Sequence, residues 1–222
     1  MSSHYSYTAI IIAAGLSSRM GGFKPLLDIG GTPALLRLLN TIQNTEIKRV
    51  SVVTGHNHEA IEAALVSHTS AAQPQNGSTT RYINPTIVYN PLYESGMFSS
   101  IKAGLDCAAK TDDCAAALLF PVDVPLVAAE TVGGLIRAWE EGGALHFAAP
   151  AYEGKNGHPL LIPRGAFDEI LRFAGDGGLK MIRNKYLADM IIYATEDQGC
   201  ILDMDTAEDY ERILEFYKRQ ER

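Results

Sequence analysis

Six consecutive residues, 115–120, carry no polar side chain, and the run stops at Pro121-Val122-Asp123-Val124-Pro125. A strand apolar at every position, rather than at alternate ones, is buried on both faces, which calls for a mostly parallel sheet covered by helices on each side. Residues 7–13 form a short β-branched and alanine-rich run that stops at Gly15, and residues 49–54 read as another strand. Between these runs the pattern turns helical, first after Pro33 (Leu35, Leu36, Leu38, Leu39, Ile42) and again over residues 59–66. A short strand is expected at residues 81–84, closed by Pro85, with loops over 67–80 and 86–96. The resulting β-α-β-α-β order predicts an α/β fold, a Rossmann-like three-layer α/β/α domain.

The second half continues the alternation. Helices are expected at 99–110, 131–140, 166–173 and 179–184, and strands at 145–149, 157–162 and 190–194. Thr206 with Asp209 three residues on resembles a capping box, with Asp in place of Glu or Gln, and opens a last helix whose apolar side carries Tyr210, Ile213, Leu214 and Tyr217. No repeat or low-complexity tract interrupts the chain, and 222 residues suit one large domain spanning 1–222.

Composition excludes several function classes. With 46% hydrophobic and 20% charged residues the chain is neither disordered nor fibrous, and its formal charge of −7 opposes general nucleic-acid binding. The apolar runs are too short to cross a bilayer, and the polar start Ser2-Ser3-His4-Tyr5-Ser6 lacks the basic and long apolar regions of an export signal, so a cytoplasmic location is expected. Cys107, Cys114 and Cys200 form no CxxC pair and read as apolar filler.

Chemistry-bearing residues gather where strands end. After the first strand come Gly15, Ser17, Ser18, Arg19, Gly21, Gly22 and Lys24. Glycine-rich backbone N–H groups with two cations suit phosphate oxygens, although the stretch matches neither the GxxxxGK[ST] loop nor GxGxxG, and a solvated loop is the other reading. Ligands of open α/β sheets bind beyond the carboxyl ends of strands, which singles out Asp123, as a Mg²⁺ ligand or as a turn cap. Asp203 and Asp205 share one face of an extended segment and either complete such a metal site or cap the last helix. Ser99 and Ser100 open a helix, where they bind an anion or merely cap. His158, between Gly157 and Pro159, is either a site contact or a structural histidine, and His56 and His58 form no metal motif.

The stretch Ala13-Ala14-Gly15-Leu16-Ser17-Ser18-Arg19-Met20-Gly21 with Lys24 resembles the signature loop of nucleotidyltransferases of the molybdenum-cofactor type, which share the nucleotide-diphospho-sugar transferase fold. Glu94-Ser95-Gly96-Met97-Phe98-Ser99-Ser100, Gly157-His158-Pro159 and Gly175-Asp176-Gly177-Gly178-Leu179-Lys180 resemble segments of the branch that makes molybdopterin cytosine dinucleotide, with Leu179 and Lys180 in place of that branch's usual alanine and arginine. The resemblance implies that Ala13, Ala14, Gly15, Arg19, Lys24, Ser99 and Ser100 bind the nucleotide, that His158 and Lys180 bind the acceptor, and that Asp123 and Asp205 hold Mg²⁺. It further implies transfer of CMP from CTP to the terminal phosphate of molybdopterin, with Arg19, Lys24 and Asp123 catalytic and with a transient molybdoenzyme or chaperone partner. A GTP-using relative, a CTP-dependent sugar- or alditol-phosphate transferase and a nonenzymatic nucleotide sensor are the alternatives.

Overall fold

The structure is a computed structural model that describes residues 5–16, 21–71 and 83–221. Its strands are β1 (Ser6–Ile12), β2 (Asp28–Ile29), β3 (Thr32–Pro33), β4 (Arg49–Thr54), β5 (Thr86–Tyr89), β6 (Cys114–Pro121), β7 (Ala148–Tyr152), β8 (Lys155–Asn156), β9 (Leu160–Pro163) and β10 (Ile191–Ala194). Its helices are α1 (Ala34–Gln43), α2 (His58–Ala71), α3 (Met97–Ala109), α4 (Ala129–Glu141), α5 (Phe167–Arg172), α6 (Gly178–Lys185) and α7 (Ala207–Gln220).

One sheet runs β10-β7-β9-β6-β1-β4-β5, with β8 paired to β7. The pairs β1·β4, β1·β6, β4·β5 and β7·β10 are parallel, while β9 enters antiparallel between β6 and β7. Period-two alternation sorts the central strands between two helical layers. Tyr7, Ala9 and Ile11 of β1, with Leu118 and Phe120 of β6, face α1, α2 and α4, where Leu38, Ile61 and Trp139 are buried. Ile10 and Ile12, with Ala117 and Leu119, face α3, α5 and α6. The apolar run at 115–120 therefore faces helices on both sides, as its composition requires.

Two elements depart from the sequence reading. The strand expected at 81–84 lies instead at β5, after Pro85; residues 83–85 are not in a strand, and 81–82 fall outside the described residues. Proline has no N–H for the ladder but can lead into a strand, and the β-branched pair Ile87-Val88 behind it pairs in parallel with Val52 and Val53. The segment expected as a loop over 86–96 thus begins with the edge strand. The glycine-bearing loop after β1 also hides a small antiparallel hairpin, β2–β3, which with α7 builds a third apolar cluster around Ile29, Met204 and Ile213.

The capping box forms as read. The Asp209 N–H donates to Thr206 Oγ1 at 3.2 Å, and the Thr206 N–H donates to Asp209 Oδ2 at 2.8 Å. Cys114 and Cys200 are buried and Cys107 is half-buried, all as free thiols. Among the described residues no helix is long and apolar enough to cross a membrane.

Candidate active site

Parallel strands β1 and β6 end side by side, Ile12 beside Pro121, and the chain leaves both toward the same edge. Beyond β1, the Ala13 N–H still donates to Val53 O at 2.9 Å and Ala14 O accepts from the His56 N–H at 3.3 Å. Ala13 and Ala14 are buried, and Gly15 is the first residue of this segment to emerge. Beyond β6, Val124 N–H closes a turn on Pro121 O at 3.1 Å, presenting Asp123 at the mouth of the sheet.

The distant carboxylates reach the same place through the backbone. The Met204 N–H donates to Asp123 O at 2.9 Å, and the buried Met204 side chain anchors its segment in the third cluster. Flanking residues 203 and 205 are thereby held against Asp123. Lys24, on a 3-10 turn started by the β1 loop, puts Nζ 2.7 Å from Asp205 Oδ1 and 3.7 Å from Asp123 Oδ2. Burial pushes the Asp123 carboxyl above the usual range; Lys24 pulls it down, and Asp205 and Asp203 push it further up.

Asp123 sits on a shared wall between two cavities, together with Ile12, Met97 and Pro121. The first, about 290 Å³, is lined by Ala14, Gly15, Lys24, Tyr93, Glu94 and Ser100. The second, about 420 Å³, is lined by Lys155, His158, Leu179, Lys180, Arg183 and Asp203. Of the residues expected to hold the nucleotide, Ala14, Gly15, Lys24 and Ser100 line the first chamber and Ala13 does not, while His158 and Lys180, expected to hold the acceptor, line the second; the two chambers meet at Asp123. Arg19 lies outside the described residues.

Of the paired serines only one faces a chamber. A Cβ on Gly104 would stand 2.4 Å from Ile10 Cγ2, so this glycine lets α3 lie close on β1, and Ser100 one turn earlier reaches the first chamber. Ser99 turns into a separate groove on the far side of α3, where its Oγ lies 2.8 Å from the carbonyls of both Leu92 and Gly96. The buried Asn90 amide spans both hydroxyls, at 2.8 Å from Ser99 Oγ and 3.0 Å from Ser100 Oγ.

His158 is fixed from behind. A Cβ on Gly157 would stand 2.4 Å from Cys200 O, and the His158 N–H donates to that same carbonyl at 2.8 Å. Burial, aided by the charge of Arg183, pushes the imidazole down to about 4, against a hydrogen bond to the Leu119 backbone that favours its protonated form. His158 is therefore neutral near pH 7, and its Nδ1 is buried without a hydrogen-bond partner.

Two lining residues, Tyr93 and Arg183, escaped the sequence reading, and a third, Glu94, entered it only as part of a quoted segment with no role. Tyr93 joins His56 and Phe23 in an aromatic row beside the first chamber, with ring centroids 6.4 and 6.0 Å apart, and Glu94 stands next to it. Arg183 lines the second chamber three residues after Lys180, a spacing that puts both on one side of a helix. Among the described residues no group of three or more His, Cys, Asp or Glu side chains is placed to hold a metal. Asp123 and Asp205 still fit a hard divalent cation of the Mg²⁺ type, which takes one or two carboxylates and completes its shell with substrate phosphates.

A family model described as the MobA-like NTP transferase domain matches residues 9–190. Over 209 residues the chain is 26% identical to the molybdenum cofactor cytidylyltransferase of Escherichia coli (strain K12), covering 94% of this chain and 95% of that one. A stretch of 59 residues is 46% identical to the choline-phosphate cytidylyltransferase of Haemophilus influenzae, covering 24% of this chain and 25% of the relative. Among solved structures, Rv0371c of Mycobacterium tuberculosis H37Rv is similar with a TM-score of 0.73 and 25% identity, over 96% of this chain and 99% of that one.

Proposed function

Because the chain belongs to the MobA-like NTP transferase family and is a nucleotidyltransferase, we propose that it transfers CMP from CTP to the terminal phosphate of molybdopterin, or of its molybdenum form, releasing pyrophosphate. The observation that carries this reading is the pair of cavities meeting at Asp123, one ending at Lys24 and the other lined by cations and an uncharged histidine. Two substrates held in separate chambers can meet only at that wall, and a transferase with no covalent intermediate needs such a meeting point.

In this reading the Gly15 backbone and Ser100 seat the nucleotide, and Ala13 and Ala14 form the wall behind it. Lys24 and Arg19 offset charge that builds on the transferred and leaving phosphoryl groups. Ser99 acts one step back, ordering the start of α3 and, through Asn90, the Ser100 hydroxyl. Asp123 and Asp205 would hold Mg²⁺, which when bound neutralises triphosphate charge. A phosphate oxygen of the acceptor is already a nucleophile near neutral pH and attacks the α-phosphorus in line, so no side chain has to remove a proton from it.

Cytidyl transfer to a small phosphorylated alcohol is the second reading, favoured by the stretch shared with a choline-phosphate cytidylyltransferase. One assay separates the two. The protein is mixed with Mg²⁺, CTP, GTP, ATP or UTP, and either molybdopterin or choline phosphate, and pyrophosphate and the coupled product are measured. Product from CTP and molybdopterin is expected; product only with choline phosphate, or only with GTP, overturns the proposal.

A further inference from the structure

Among the described residues Arg183 is a cation in no ion pair. It lines the second chamber, and its Nε is buried without a hydrogen-bond partner. Lys180, one turn earlier on α6, and Lys155, on β8, line the same chamber, and among the described residues none of the three is in an ion pair. Burial keeps the His158 imidazole neutral and the nearby guanidinium charge adds to that effect, so the histidine adds no positive charge of its own. Asp203 lines the same chamber and, among the described residues, forms no ion pair with any of these cations.

A guanidinium whose Nε is sealed while the residue as a whole remains half-exposed presents its terminal Nη groups to the cavity. Those two groups form a planar fork matched to two oxygens of a phosphate, whereas the Lys180 ammonium one turn away can add a point charge from any direction. Burying part of a charged group unpaired is costly, and an anion bound at the Nη groups offsets the charge part of that cost, although it does not reach the sealed Nε.

We propose that Arg183, supported by Lys180, is the seat of an acceptor oxyanion of the phosphomonoester class and so a specificity-determining residue of the second chamber. This rests on the reading of that chamber as the acceptor side, and it extends the acceptor site to a residue outside the glycine-rich motif that precedes it.

Inorganic phosphate is the probe, titrated by calorimetry into the full chain with Mg²⁺ and saturating α,β-methylene-CTP, an unreactive analogue that fills the nucleotide side. Saturable binding is expected, weakened at least about tenfold in Arg183→Gln, partly restored in Arg183→Lys, and unchanged in Lys218→Gln, an exposed cation on α7. Absence of saturable binding by the parent, or an Arg183→Gln affinity within threefold of it, overturns the proposal, provided that thermal melting shows the variant folded; if it is not, Arg183→Lys decides by the same threshold. With molybdopterin and CTP as substrates, Arg183→Gln is expected to raise KM for molybdopterin at least about tenfold while KM for CTP stays within twofold. An unchanged KM for molybdopterin counts against Arg183, whereas a parent enzyme that does not use molybdopterin at all overturns the choice of acceptor and leaves Arg183 to the phosphate titration.

Discussion

The two chambers solve the problem of binding phosphate in opposite ways. In the first, the Lys24 cation is already held by Asp205 and faces Asp123, so its position is set before any ligand arrives. In the second, among the described residues, Lys155, Lys180 and Arg183 are in no ion pair, and the His158 ring beside them is held neutral. A paired cation is well placed to stabilise charge that appears during reaction, because little reorganisation remains to be made. Unpaired cations favour whatever anion completes them, and so serve selection of the incoming molecule more than the chemical step. The difference assigns rate to the first chamber and its wall, and choice of acceptor to the second.

The sharpest way to break this division is at the wall. Asp123→Asn keeps size and removes the carboxylate that both chambers share, and turnover is expected to fall by a hundredfold or more, about 3–4 kcal/mol of transition-state stabilisation. Pyrophosphate release within threefold of the parent at saturating Mg²⁺ would remove Asp123 from the chemistry.

The neutral histidine gives the second chamber a signature that the first lacks. His158 has a folded value of about 4 against 6.5 when exposed, so the unfolded chain binds more protons between those limits. Stability should therefore decline as pH falls from 6.5 to 4, with a contribution from this residue of at most about 3 kcal/mol, less to the extent that solvent reaches the ring. Urea denaturation of the parent and of His158→Gln across that range checks it, because the variant must show the flatter profile; parallel profiles would mean that the imidazole is not held neutral by its surroundings.

Lys24→Ala should slow transfer by about 2 kcal/mol, the scale of one charged hydrogen bond, with Lys24→Arg recovering only part because the guanidinium differs in reach and shape. The comparison requires this loss to appear in kcat, whereas Arg183→Gln acts on the acceptor KM. A loss in CTP KM alone would place Lys24 among groups that bind ground and transition states equally.

The smallest expected effect concerns the base. Ala14 lines the first chamber, and the buried Ala13 beside it is tied to β4 by a backbone hydrogen bond, so in the proposed reading this side of the chamber cannot retreat readily for a purine. A CTP preference over GTP of at least about tenfold in kcat/KM, roughly 1.4 kcal/mol, is expected. Equal efficiencies would show that the first chamber reads phosphates without reading the base.

Much of the architecture is written in local pattern. The wholly apolar run of β6 specifies burial on both faces, and Thr206 with Asp209 specifies a helix start, because each depends only on neighbours along the chain. The β5 strand was displaced because residues 81–84 and 86–89 both have strand-like stretches around Pro85, and only pairing with Val52 and Val53 chooses between them. Ser99 and Ser100 are a similar case: adjacent helical residues point about 100° apart, so only one faces the chamber, and which one depends on how closely Gly104 lets α3 approach β1. Arg183 belongs to no motif, and its only local mark was its spacing from Lys180.

The sequence by itself determined the layered α/β fold and the residue types at the strand ends, since hydrophobic period, turn chemistry and caps act over a few residues. Tertiary structure alone decided that Lys24, Asp123 and Asp205 converge, that Asp123 divides two chambers, and that Arg183, in no ion pair among the described residues, stands beside a neutral His158. These are relations between segments as much as 181 residues apart, and they depend on which backbone groups meet and what water they exclude, quantities that no local pattern carries.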